Sequence, residues 1–224
     1  MNKKILLLIV LFCSLLSAVP AFALSGTITV DSIWTGVLDV TDNITIQAGV
    51  TVPINAPCTL RFTGGAAGTL VSTIFVDGSL YTSSNAANII QIYSTRIGAP
   101  APNLLGGIRF RGASKGTLTY CDIRDAVRGV EMFGAGLNKL VDVQRCTFSY
   151  CGYGIYLSQP TVASVFRYNS ITNNIQAYGI FCNMDAITKN PTIEYNDVTG
   201  ALADIYATGV TCNAELNYYP AGAF

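Results

Sequence analysis

The side chains that could move protons in this 224-residue chain gather between Arg109 and Arg145. Asp122, Arg124, Asp125, Arg128 and Glu131 make the densest charged segment, with Arg109 and Arg111 before it and Asp142 and Arg145 after it. Two carboxyls facing one groove could share general acid and base work, which makes Asp122, Arg124, Asp125 and Arg128 the candidate catalytic residues. The chain contains no histidine. That removes Ser-His-Asp and Cys-His nucleophiles, His-ligated metals and any imidazole acid or base. Six of the seven cysteines lie beyond residue 23, at Cys58, Cys121, Cys146, Cys151, Cys182 and Cys212. No C-x-x-C occurs among them, so a zinc ribbon or thioredoxin-like motif is unsupported, and no metal ligands are assigned.

What must position these residues is a repeat. The segments 118–132, 143–157, 166–182 and 193–207 are related, and Val130, Ile155, Ile180 and Ile205 stand 25 residues apart. A second apolar anchor recurs at Ile123, Phe148, Ile171 and Val198, two residues after Cys121, Cys146, Asn169 and Asn196. Leucine-rich and helical frames are absent. Each unit instead carries two or three short alternating stretches separated by Gly- or Asn-rich corners. Such stretches, with no helix between them, specify a parallel β-solenoid whose coils stack at strand spacing, roughly 4.8 Å.

Residues a fixed count apart then become columns. Phe110, Met132, Leu157, Cys182 and Ala207 face the core, with Ile108, Val130, Ile155, Ile180 and Ile205 beside them. Asn169 over Asn196 fits a side-chain ladder at a tight corner, and Cys121 over Cys146 fits a thiol pair in the same slot. Gly129, Gly154 and Gly179 precede the strand as if a corner there required positive φ. Between the core positions an outward column reads Arg109, Glu131, Tyr156, Phe181 and Tyr206, and a corner column reads Tyr120, Arg145, Tyr168 and Tyr195. Exposed aromatic strips suit sugar rings, and stacked rings also stabilise a sheet without any ligand. Asp122 stacks on Thr147 and Asp125 on Tyr150, so neither has a second acid next door. The charged segment therefore reads as opposite charges neutralising one another on a solvated face.

The Cys/Asn-x-Ile/Phe and Gly-Ile units, with the opening stretch 25–52, resemble the right-handed parallel β-helix superfamily in its secreted bacterial, pectate-lyase-like form. The resemblance covers nearly all of residues 25–210. It implies an all-β fold, a single-stranded right-handed parallel β-helix of about 25 residues per coil, roughly eight coils in all. Members of that superfamily include lyases that pair Ca²⁺-binding carboxylates with an arginine, and hydrolases with clustered Asp residues. Ca²⁺ enters only under that enzymatic alternative, a polysaccharide lyase or hydrolase acting through the Asp/Arg cluster; otherwise no cofactor is expected.

The address is written in the first residues. Lys3 and Lys4 precede an apolar run from Ile5 to Leu16, and Ala21-Phe22-Ala23 supplies a small-x-small site, the pattern of a secretory signal peptide cleaved near Ala23. The expected domains are a signal peptide, 1–23, and a β-helix domain, 24–224. Loss of Lys3 and Lys4 from 13 basic and 13 acidic residues leaves a net charge of −2, and nucleic-acid binding has no basic footprint here. The expected product is secreted, periplasmic or on the cell surface, with no membrane segment after signal removal. Its expected role is non-catalytic binding or structure, with extracellular polysaccharide or a cell-surface component as partner and glycan the favoured ligand. Tyr156, Phe181, Tyr206, Tyr120, Tyr168 and Tyr195 are the candidate ligand-binding residues. End-to-end self-association is a further expectation. Residues 98–107 are expected to loop away from the solenoid, Leu24 to Trp34 to cap one end and Ala214 to Phe224 the other.

Overall fold

The computed structural model describes residues 22–63, 71–95, 103–133, 140–158, 164–173, 178–183, 191–199, 203–208 and 217. Its strands, numbered β1 to β19 along the chain, belong to one continuous sheet that winds through three faces. The first face contains residues 26–28 of β1 (Phe22–Ile28), residues 44–46 of β2 (Trp34–Ile46), β4 (Thr73–Val76) and β7 (Gly107–Phe110). It continues through β10 (Arg128–Met132), β13 (Tyr153–Ser158), β16 (Tyr178–Asn183) and β19 (Ala203–Thr208). The second face holds residues 51–55 of β3 (Thr51–Phe62), β5 (Ser79–Ser83), β8 (Lys115–Thr119), β11 (Leu140–Gln144), β14 (Val165–Arg167) and β17 (Thr192–Glu194). On the third face lie residues 36–40 of β2, residues 58–62 of β3, β6 (Ile90–Ser94), β9 (Cys121–Arg124), β12 (Thr147–Ser149), β15 (Ser170–Thr172) and β18 (Asp197–Thr199). These pairings are all parallel.

The expected columns form in register. Ile108 pairs with Val130, Val130 with Ile155, Ile155 with Ile180 and Ile180 with Ile205. Ile123, Phe148, Ile171 and Val198 align on the third face. The alternation of apolar and polar residues decides which side is dry: in β6 Ile90 and Ile92 are buried while Gln91 and Tyr93 are not. Each fully buried aliphatic side chain contributes about 1.5–3 kcal/mol, so the stacked columns are the main source of stability.

Several expectations need correction. On the first face the spacing of 25 holds only from Val130 onward; 22 residues separate Ile108 from Val130, and 34 separate Ile74 from Ile108. The sheet register survives because added residues leave at the corners. Ala207 is exposed rather than buried, since it lies on β19, for which no later described strand forms a pair. Gly129, Gly154 and Gly179 do not have positive φ. The reason for glycine at 129 is space: a Cβ there would sit 2.5 Å from the Phe148 ring and 2.6 Å from the Gly154 carbonyl oxygen.

Positive φ falls instead on bulky residues. The chain turns from the second face to the third at Tyr120, Arg145, Tyr168 and Tyr195, with φ of 46, 56, 57 and 56°. After the third face it turns at Asp125, Tyr150 and Asn173, with φ of 64, 53 and 54°. A single left-handed residue gives a sharp bend but leaves backbone groups without strand partners. The residue that follows the first of these corners supplies them. Asn169 Oδ1 accepts from the Cys146 N–H at 3.0 Å, and its Nδ2 donates to the Val143 carbonyl at 3.0 Å and to Asn196 Oδ1 at 2.9 Å. Asn196 repeats the pattern one turn on, and Asn217 adds a third member, donating to the Ile193 carbonyl at 2.9 Å.

The thiols in the same slots are buried, as are Cys58, Cys151 and Cys182. The Cys121 N–H donates to Cys146 Sγ at 3.4 Å. The Cys146 interaction and burial hold the Cys121 thiol well above its usual range. Burial raises Cys58 to about 11 and Cys151 to about 12. Native protein at pH 8 should therefore react with iodoacetamide at Cys58 and Cys151 at least a hundredfold more slowly than unfolded protein, because only the thiolate attacks. The sign for stability follows: the unfolded thiols ionise first, so the contribution is complete below pH 9 and is lost as pH rises from about 9 toward 12. Mass spectrometry of alkylated protein reads the first effect, and alkaline unfolding curves the second.

At the N-terminal end β1 begins at Phe22, and residues 1–21 lie outside the described residues. Leu24 to Trp34, expected as a cap, belongs to the first described turn and pairs with the strands that follow it. Leu24, Ile28, Val30, Ile33 and Trp34 line a hollow of about 500 Å³ there. Of the expected loop 98–107, residues 98–102 lie outside the described residues; Leu105 is already buried and bridged to Ala126, and Gly107 begins β7. Of the expected C-terminal cover only Asn217 is described.

Candidate functional site

The charged segment does not assemble as one cluster, because the corner at Asp125 divides it between faces. Asp122 and Arg124 point outward from β9 on the third face and pair at 3.3 Å, with the Arg124 guanidinium 5.1 Å from the Tyr93 ring centre. Burial raises the Asp122 carboxyl above its ordinary value, and Arg124 acts in the opposite direction. Its neighbours in register are Gln91 and Thr147, so no second carboxyl stands beside it. Arg128 lies on the first face and turns to Glu131. Glu131 is 1% exposed and also accepts from Arg109 Nε at 2.5 Å, so one buried carboxylate is shared by two arginines. Among the described residues no three acidic or thiol side chains converge as a metal site would require.

The aromatic columns do assemble. On the first face Tyr156 and Phe181 stack with centres 4.8 Å apart and planes at 15°, and Phe181 and Tyr206 at 5.4 Å and 11°. Tyr153 meets Tyr156 edge-on at 5.2 Å, and Tyr178 stacks on Tyr206 at 4.7 Å. The Arg128 guanidinium sits 4.0 Å from the centre of the Tyr156 ring. A strip of rings stacked at coil spacing was expected here, serving either as an exposed binding surface or as cross-strand support. The rings do lie against one another along the axis, because coil spacing is close to stacking distance.

The corner column stacks in the same way but is more open to solvent. Tyr168 and Tyr195 stack at 5.1 Å and 12°, yet they remain 49% and 45% exposed. Arg145 lies between Tyr120 and Tyr168, 5.7 and 5.4 Å from the ring centres, and its Nη1 donates to the Tyr120 hydroxyl at 2.9 Å. Positive φ throws these side chains outward beyond the two flanking strands. Bulky residues rarely take that conformation, and each instance costs about 1–3 kcal/mol. Glycine or asparagine would make the same bend with less strain, so the repeated choice of tyrosine needs a reason beyond the turn.

Sequence reasoning identified Tyr120, Tyr168 and Tyr195 but assigned no role to Arg145. It also passed over Tyr153 and Tyr178, although Tyr-Gly-Ile recurs at 153–155 and 178–180 and marks them. Residues 58–217 match the family described as a right handed beta helix region. No curated protein and no solved structure matches the chain significantly.

Proposed function

The chain belongs to the right-handed β-helix family, and from that premise we propose that it is an exported, non-catalytic module that binds carbohydrate outside the cytosol. The observation that carries this reading is the corner column, where strained tyrosines hold half-exposed rings in a row. Sugar rings present apolar C–H faces beside hydroxyls, and an aromatic ring beside a phenol oxygen meets both. Export rests on the leader pattern in residues 1–23. The partner is an extracellular polysaccharide or a cell-surface glycan. The first-face rings Tyr156, Phe181 and Tyr206 act mainly as cross-strand support, with Tyr206, 39% exposed, at the accessible end of that stack. A catalytic role at Asp122 is the less favoured reading, because its neighbours are an amide and a hydroxyl while acid–base cleavage needs a second acid or base.

The test is a double variant, Tyr168→Gly with Tyr195→Gly. Glycine relieves the positive φ while the stack is lost, and these terms nearly offset, so the unfolding free energy should move by no more than about 1 kcal/mol. Binding on a glycan array should fall tenfold or more. Unchanged binding in folded protein would sink the reading.

A further inference from the structure

We infer that the N-terminal end of the solenoid is a contact surface for a second copy of this chain, the two joined end to end about a two-fold axis. The inference goes beyond carbohydrate binding but rests on the export reading, because removal of residues 1–23 bares this surface. Large apolar side chains open to solvent stand there, with Val30 70% exposed and Ile33 65%. Both line the hollow of about 500 Å³, together with Leu24, Ile28 and the buried Trp34 and Leu38. Exported chains meet water on every side, and an apolar patch left open on such a surface marks a contact site.

Cleavage near Ala23 widens the opening. Phe22 lines the hollow and pairs with Leu38, and Ala23 pairs with Asp39, so both partners depart with the leader. Among the described residues the remainder of β1 has a strand partner on one side only, in β2. Its other edge presents backbone donors and acceptors along the solenoid axis. An occupant must therefore answer a strand edge and fill an apolar hollow together. An acyl chain or small apolar ligand fills the hollow and leaves the edge without partners. The same end of a second copy supplies both, because a two-fold axis sets edge against edge as an antiparallel pair and closes both hollows in one contact. The far end is a poorer match. The exposed side chains described on β19 are Tyr206 and Ala207, and head-to-tail joining leaves one apolar end open however long the rod grows. The end of one coil is small against the roughly 1,200–2,000 Å² that a stable interface buries, so the dimer should be weak and dissociate on dilution.

Exported chain, its N-terminus read by intact mass, should sediment as a monomer when dilute and as a dimer when concentrated, with no larger species. Val30→Asp with Ile33→Asp should raise the dissociation constant at least tenfold by setting like charges against each other. Both positions are exposed, so the unfolding midpoint should hold and glycan-array binding should not change. Thr27, exposed on the first-face edge, checks the symmetry, since the two-fold brings it beside its own copy. Thr27→Cys incubated with oxidised glutathione should give a disulfide from position 27 of one copy to position 27 of the other, mapped by mass spectrometry. A monomer at every concentration, rods that lengthen with concentration, or a dimer indifferent to the double Asp variant overturns the inference while carbohydrate binding stands. Flotation of the monomer with phosphatidylcholine vesicles overturns it as well and gives the hollow to an acyl chain. Chain kept in the cytosol with its leader uncut overturns the export reading and this inference with it.

Discussion

Asn169→Leu should cost the fold about 3–5 kcal/mol. Leucine keeps the branched heavy-atom shape of asparagine, with bulkier methyls at the ends, but carries neither donor nor acceptor. The Cys146 N–H and the Val143 carbonyl would then be buried without partners, and Asn196 Oδ1 would lose the amide that donates to it. Each orphaned buried group costs about 1–3 kcal/mol. Against a total stability of about 5–15 kcal/mol, the loss should be plain in denaturant unfolding. A second variant guards the interpretation. Asn169→Cys should be milder, because a thiol in this slot already accepts a backbone N–H where Cys146 receives Cys121. Equal damage from leucine and cysteine would mean that volume, and not hydrogen bonding, governs the corner.

Gly107→Ala should be comparably severe, for a different reason. Gly107 has φ of 95°, and a methyl group there would run into the Arg128 carbonyl oxygen and approach the Gly129 carbonyl oxygen at 3.0 Å. Both obstacles are backbone of the next turn, so neither can swing aside. Strained φ and forced separation of β7 from β10 together should remove on the order of 3–5 kcal/mol. Gly112 provides the control, since its φ is 57° but nothing lies within 4 Å of its missing Cβ. Gly112→Ala should cost only about 1 kcal/mol. Paired thermal melts check the contrast, and similar midpoints for the two variants would refute it.

The architecture was legible where the repeat is regular. Val130, Ile155, Ile180 and Ile205 stand in register as their spacing implies, and the Cys/Asn slot lies where expected. Legibility falls before Gly107 because corners there take up different numbers of residues and β2 and β3 each run through two faces. Asn217 escaped notice for the same reason: it follows Asn196 by 21 residues, against 27 between Asn169 and Asn196. The outward columns could be listed from sequence, but not whether ring faces would be open. That depends on side-chain torsions, which the period does not encode. Least legible was the left-handed backbone at Tyr120, Arg145, Tyr168 and Tyr195. Local preference assigns such bends to glycine or asparagine, so the glycines beside the strands drew the expectation away from the residues that bear the strain. The division of Asp122 and Arg128 between faces follows from the corner at Asp125, another bend that composition alone does not announce.

Because the coils pair in series, each turn is supported by the one before and the one after. Such an array melts like a zipper, fraying from its extremities, and its free energy is close to a sum over neighbours. The column from Tyr120 to Tyr195 crosses several consecutive turns. Any ligand seated along it is fastened to more than one tooth at once, so occupancy acts as a clasp. It would slow the opening of the later coils without altering their shape.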